Sequence, residues 1–235
     1  MKQPREILGP YELLRRIDAG GMAEVFHARL RTPSGFSREV ALKRLFPHVA
    51  DDRELLSLFQ LESQVLASVN HPGVPQVFDF GSQDGTWFIA MEYVEGLTAA
   101  ELWRAGASKG DPMPMPVSVA IALQVCEALH HVHERFAQGR HLAIVHRDVT
   151  PQNILVNGDG VTKLIDFGVA QWADTALPPR VRGTFAYMAP EQARGEPVDR
   201  RADIFAIGVM LYELTTGLRL FGGGSQVDTL NAVAE

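Results

Sequence analysis

The stretch His146-Arg147-Asp148-Val149-Thr150-Pro151-Gln152-Asn153, followed at short range by Asp166-Phe167-Gly168, decides the reading of this chain. It puts one carboxylate, Asp148, one amide, Asn153, and a second carboxylate, Asp166, on two loops. Two short apolar runs, residues 154–156 and 161–165, lie between them and read as paired strands. A carboxylate can orient a hydroxyl by accepting its proton. An amide oxygen and a second carboxylate can hold the metal that bridges phosphates, so the donor set suits phosphoryl transfer. An Asp/Asn-rich turn between two strands is the plain alternative, and it leaves the motifs around it unexplained.

Upstream, residues 11–46 alternate apolar and polar positions with glycine punctuation, the pattern of an antiparallel strand series. Residues 51–69 carry Leu55, Leu58, Phe59, Leu61, Val65 and Leu66 at helical spacing, with Asp51 and Asp52 placed to favour the helix start. Residues 74–80 and 86–93 read as two strands around a Gln83-Asp84-Gly85 turn. After Gly96 the pattern turns helical. A proline-rich loop over 106–116 separates it from a long amphipathic helix over 117–136, and 198–216 contains another helix. A mainly β front joined to a mainly α back is an α+β, two-lobed architecture.

Four further motifs complete the set. Ile17-Asp18-Ala19-Gly20-Gly21-Met22-Ala23-Glu24-Val25 is a glycine turn between strands. Val40-Ala41-Leu42-Lys43 is a strand ending in a lysine, with Glu62 on the helix that follows. Met91-Glu92-Tyr93-Val94 leaves a strand, and Gly183-Thr184-Phe185-Ala186-Tyr187-Met188-Ala189-Pro190-Glu191 lies beyond Asp166. With these, the chain resembles the protein kinase superfamily from about residue 11 to its C-terminus. The nearest type is the bacterial eukaryotic-like serine/threonine kinase.

The resemblance implies an antiparallel N-lobe with one helix over residues 11–93 and a mainly α C-lobe over 94–235, the last C-lobe helices missing. It implies that Ile17, Gly20, Gly21 and Val25 cover the nucleotide, and that Lys43, located by Glu62, contacts its α- and β-phosphates. Main-chain groups of Glu92 and Val94 would bind the adenine edge, Val25, Ala41 and Leu155 its faces, and Met91 would guard the back of the pocket. Asp148 would take or orient the substrate proton, and Asn153 and Asp166 would hold magnesium, or manganese in its place. Thr184 would reach Asp148, as in serine/threonine-specific kinases. Asp203 would bind backbone amides of the Asp148 loop, and His146 and Phe167 would pack as scaffold. Arg147 would await a phosphate, with Thr175 as the regulatory site. Lys43, Asp148, Asn153 and Asp166 are thus expected to converge around one triphosphate.

The implied reaction moves the γ-phosphoryl of ATP to serine or threonine hydroxyls of proteins, including the kinase itself, with dimerisation serving autophosphorylation. The rival is a pseudokinase, a nucleotide-binding scaffold without turnover. Asp18 in place of the first glycine favours it, as does Thr150 where the family has lysine. A small-molecule phosphotransferase is disfavoured by the peptide-docking segment 183–191. Family domains usually continue past Glu235 with helices whose arginine pairs with the Glu191 position, so a fragment of a longer polypeptide is expected.

Bulk properties narrow the field. With 235 residues, 46% of them hydrophobic, the chain can bury a sizeable core. A formal net charge of −6 argues against nucleic acid or an anionic membrane as partner. The single cysteine, Cys126, lies in an apolar helical pattern and reads as structural. No apolar segment follows Lys2 and Arg5 to make a secretory signal, and the run 204–212 is too short to span a bilayer. These facts point to the cytoplasm, either free or as the cytoplasmic part of a membrane-anchored receptor. His130, His131, His133 and His141 face different ways on a helix and its exit, which disfavours a metal patch.

Overall fold

The computed structural model describes residues 6–32, 35–107, 113–137, 139–167 and 184–235. The chain divides into two compact units, Met1–Ser68 with Pro75–Val94, and Val69–Val74 with Glu95–Glu235.

The first unit is a six-stranded antiparallel sheet with a helix. Its elements are β1 (Ile7–Leu8), β2 (Tyr11–Ala19), β3 (Ala23–Arg31), β4 (Ser37–Leu45), the short α1 (Pro47–Ala50), α2 (Arg53–Ser68), β5 (Val77–Gln83) and β6 (Thr86–Glu92). The spatial order is β1-β2-β3-β4-β6-β5. The period-two pattern sorts side chains onto two faces. Phe26, Ala28, Val40, Leu42, Phe88 and Ala90 make one core with Tyr11 and Leu13. On β4 the alternate residues Ala41 and Lys43 face the other way. The carboxylate of Asp52 caps α2, accepting from the N–H groups of Glu54 (2.9 Å) and Leu55 (3.2 Å). Its buried residues, Phe59, Glu62, Ser63 and Leu66, recur at helical spacing. Phe59 joins Leu45, Val49 and Ile89 in a second core. The helix α1, entered through Pro47, was not legible in the pattern.

In the second unit come β7 (Gly96–Thr98), α3 (Ala99–Ala107), α4 (Met115–His133), β8 (Phe136–Ala137), β9 (Arg140–His141), β10 (Ile154–Asn157), β11 (Thr162–Leu164), α5 (Pro190–Ala193), α6 (Arg201–Thr216) and α7 (Gln226–Ala234). Helix α4 starts two residues earlier than its pattern predicts, because Pro116 is tolerated in a first turn, and ends three earlier, at His133, where the chain turns toward the Phe136–Ala137 strand. By length and composition it is the one described helix apolar enough to cross a membrane. Its Ile121, Ala122, Val125 and Leu129 are nonetheless buried in a core with Ala206, Ile207, Val209, Met210 and Leu214 of α6. Helix α6 buries Ala202, Asp203, Ala206, Ile207, Val209, Met210, Glu213 and Leu214 at helical spacing on one face, while Ile204 and Tyr212 on the other face are exposed.

The first strand after α2 begins at Val77 rather than at residue 74, and Val69–Val74 belongs to the second unit. The Gly73 carbonyl accepts from the Leu164 N–H (2.8 Å), and the His71 ring stacks on His131 at 5.1 Å. Strands β11, β10 and β7 form a small antiparallel sheet in which Leu155 pairs with Thr98 and Asn157 with Gly96. That pairing depends on a missing side chain, since a Cβ on Gly96 would stand 2.3 Å from the Val156 carbonyl oxygen. Gly96→Ala is therefore expected to destabilise the protein by about 1–3 kcal/mol through overpacking. Gly208→Ala, in α6 with nothing within 4 Å of the added carbon, is expected to stabilise it by up to about 1 kcal/mol. Thermal melting of the two variants checks both signs.

Candidate active site

In the first unit the sheet and α2 bring together a lysine and a glutamate distant in sequence. Lys43 on β4 donates from Nζ to Glu62 Oε1 at 2.6 Å, with side chains 14% and 5% exposed. A pair this dry is held by geometry, and deleting one partner removes a close, poorly hydrated contact from the other. Val25 pairs with Lys43 and His27 with Ala41, so Val25, Ala41 and Lys43 share one face. Met91 pairs with Ala41 on the same face, and Glu92 and Val94 follow at the end of β6.

Gly20 and Gly21 form the turn between β2 and β3, and Ile17 near the end of β2 is exposed. Neither glycine has a positive φ, and a Cβ at Gly21 would meet nothing within 4 Å. What these glycines contribute is an uncovered backbone. Asp18 turns its carboxylate onto the Ala19 N–H at 2.8 Å. That bond occupies one oxygen of the negative group standing where the sequence pattern expects glycine.

In the second unit a single buried carboxylate organises the Asp148 loop. Asp203, fully buried on α6, accepts from the N–H groups of His146 (2.9 Å) and Arg147 (2.7 Å). The Nε2 of His133, at 2.7 Å from the same carboxylate, must be the donor there. Gln192 of α5 holds the loop from the other side, donating from Nε2 to the Arg147 carbonyl at 3.1 Å while its Oε1 accepts from the Ala189 N–H. Arg147 has φ 68°, sparsely populated for a residue with a side chain, and both its main-chain polar groups are pinned.

Inside the loop, the Asn153 side-chain amide donates to the Asp148 carbonyl (2.9 Å) and to Asp148 Oδ2 (2.8 Å). The Ile165 N–H donates to the Asn153 carbonyl at 2.8 Å, which sets Asp166 just beyond that tie. Asp166 also has a left-handed backbone, φ 53°. The His146 ring bridges the two segments. Its Nδ1 faces the Asp148 N–H (3.3 Å), its Nε2 faces the Ile165 carbonyl (3.2 Å), and the ring packs on Phe167 at 4.5 Å. This arrangement requires a neutral imidazole protonated at Nε2. Burial pushes the His146 pKa below the histidine range, against the upward pull of Asp203.

Leu155 sits on β10, half-buried. Thr150 is buried, with an extended backbone ahead of Pro151, and supplies no cation. Burial lowers the Arg147 pKa to about 10, so its guanidinium stays charged near neutrality. Thr184 opens a 3-10 turn, Thr184–Tyr187, but its side chain lies outside the described ones. Gly168 and Thr175 also lie outside the described residues.

Two partnerships escaped sequence reasoning. His133 had been set aside with its neighbouring histidines, yet it supports Asp203. Tyr187 donates to buried Glu213 at 2.6 Å and accepts from Arg219 at 2.9 Å. The Tyr187 pKa is raised, chiefly by burial and then by the Glu213 hydrogen bond. A buried polar position in an otherwise apolar helix, as at Asp203 and Glu213 of α6, was the available signal.

Asp203→Asn places an amide N–H against a backbone N–H. It should cost about 2–5 kcal/mol in a denaturant melt and speed hydrogen exchange at His146 and Arg147. Because folding keeps His146 neutral, its contribution to stability is intact above the unfolded value of about 6.5 and is lost as the pH falls toward the lower folded value. Histidine NMR should show the neutral Nε2–H form persisting well below that pH. A His146→Asn variant should have a flatter melting profile over the same range.

Comparison with known proteins follows the same lines. The family described as the protein kinase domain matches residues 11–235. A protein of Myxococcus xanthus named tyrosine-protein kinase MasK is 38% identical over 231 residues, covering 97% of this chain and 36% of the relative. Serine/threonine-protein kinase PrkC of Bacillus subtilis is 37% identical over 226 residues, covering 95% of this chain and 33% of its own length. Serine/threonine-protein kinase PknB of Mycobacterium tuberculosis is 35% identical over 237 residues, covering 97% and 36%. The chain thus spans about a third of the length of these bacterial relatives. A match running from the first long strand to the last residue, over the lysine–glutamate pair and the braced Asp148 loop alike, means that this chain belongs to the protein kinase family.

Proposed function

We propose that the chain transfers the γ-phosphoryl group of ATP to serine or threonine hydroxyls of proteins, a second copy of itself among them. The observation that carries this reading is the lock of Asn153 onto Asp148, with the Asn153 carbonyl tied to Ile165 beside Asp166. In this reading Asp148 takes the position of the proton acceptor. The Asn153 bonds orient its carboxylate, and a preset group needs little reorganisation during reaction. Ile17, Gly20, Gly21 and Val25 cover the nucleotide, Ala41 and Leu155 contact the adenine, main-chain groups of Glu92 and Val94 bind its edge, and Lys43 meets the phosphates.

The donor chemistry fits a hard divalent cation. The Asn153 side-chain nitrogen is committed to Asp148, so what the side chain offers a metal is its amide oxygen, Oδ1, and Asp166 adds carboxylate oxygen. Magnesium, or manganese in its place, would neutralise phosphate charge when bound there. The intact Lys43–Glu62 pair and oxygen donors favour an enzyme over the scaffold reading, although Thr150 leaves the site one cation poorer. Thr184 would serve serine/threonine specificity by reaching Asp148. Arg147, charged and next to the Asp203 clamp, would receive a phosphate placed on Thr175.

Incubation with labelled ATP and magnesium tests the reading. The wild type should label itself, with the label recovered as phosphoserine or phosphothreonine, and Asp148→Asn should fall at least about a hundredfold. Recovery as phosphotyrosine would move the specificity toward that in the name of the Myxococcus relative. An unlabelled wild type that still binds ATP would restore the scaffold. Thr175→Ala should lower the activity, and an unchanged rate would remove that site.

A further inference from the structure

One row of cross-strand partners runs over the first unit's sheet: Arg15 on β2, His27 on β3, Ala41 on β4 and Met91 on β6, each paired with the next. Partners in such a row point to the same face. Two of the four, Ala41 and Met91, belong to the proposed adenine subsite. The outer two are polar, and a residue just past the end of β6 folds back onto them. The Tyr93 ring lies flat on the His27 ring, with centroids 3.9 Å apart and planes 6° from parallel. Its hydroxyl accepts from Arg15 at 3.2 Å. His27 Nε2 meets Glu39 Oε2 at 2.8 Å, and Arg29 meets the other oxygen of Glu39 at 3.3 Å. The His27 side chain is only 14% exposed beneath this lid.

Tyr93 stands between Glu92 and Val94, the two residues whose main-chain groups are proposed to bind the adenine edge. A flexible segment there would have to be ordered at each binding event, at a cost in affinity. We infer that the Tyr93–His27 stack is a positioning device: it clamps the 92–94 segment to the sheet row that carries Ala41, so that the adenine edge and face contacts are set before the nucleotide arrives. Arg15 and Glu39 hold the two rings in register. Tyr93 and His27 act through their neighbours and are positioning residues. The inference rests on the kinase reading above, and it concerns nucleotide affinity rather than phosphoryl transfer.

The test uses calorimetric binding of a non-hydrolysable ATP analogue together with steady-state kinetics. Tyr93→Ala and His27→Ala should each raise the ATP KM and the analogue Kd about three- to tenfold, the range expected for losing an aromatic stack. Their kcat should stay within about twofold, since a positioning loss falls on binding. The double variant should be little worse than either single one, because both remove the same contact. Tyr93→Phe, which keeps the ring and loses the Arg15 bond, should recover most of the affinity. Unchanged KM in both alanine variants of an active wild type would overturn the inference. So would parallel losses of kcat and melting temperature with no rescue by Tyr93→Phe. A wild type that neither binds the analogue nor labels itself would instead remove the kinase reading.

Discussion

The second unit depends on one buried carboxylate. Asp203 reaches from α6 into a loop without regular structure and satisfies two consecutive N–H groups, those of His146 and Arg147, that no strand or helix could satisfy. Buried main-chain donors left unpaired are costly, so the loop can exist in this form only where such an acceptor awaits it. His133 from α4 completes the arrangement, and the buried face of α6 thereby anchors a segment without regular structure. The carboxylate is tolerable in the core because its partners arrive from three directions.

From that anchor the rest of the site follows by short steps. Pinning Arg147 at both main-chain groups lets it hold a left-handed backbone, and the next residue, Asp148, is bonded by Asn153. The His146 ring, kept neutral by burial, ties the Asp148 loop to the end of β11 through the Ile165 carbonyl. Phe167 packs on the same ring, and Asp166 sits in its own strained conformation between these contacts. Strain of this kind persists only where the surroundings over-determine it. The reactive groups are therefore held by neighbours that have no chemical part to play.

Much of this was legible along the chain. Alternation predicted the strands of the first unit, and helical spacing with Asp52 ahead of it predicted α2 within two residues. Lys43 and Glu62 were paired only through the resemblance to the kinase family, and the structure joins them. The brief α1 and the two-residue strands were not legible, since elements shorter than one or two periods leave no pattern. Residues 51–69 read as a helix and 74–80 as a strand, but Val69–Val74 belongs to the second unit, and its contacts with Leu164 and His131 are with residues far along the chain.

Composition, periodicity and motif spacing by themselves determined the α+β class, the identity of the chemical groups and the family to which they are similar. Those properties are written in local order and in the kinds of side chain present. Only the tertiary structure decided which polar groups satisfy one another. It made His133, to which the sequence assigned no role, the support of Asp203, and it showed Gln192 closing the Asp148 loop. It also laid Tyr93 on His27. Such partnerships join residues tens of positions apart, and a hydrogen bond or ring contact needs ångström-scale approach, which sequence spacing cannot encode and close packing imposes.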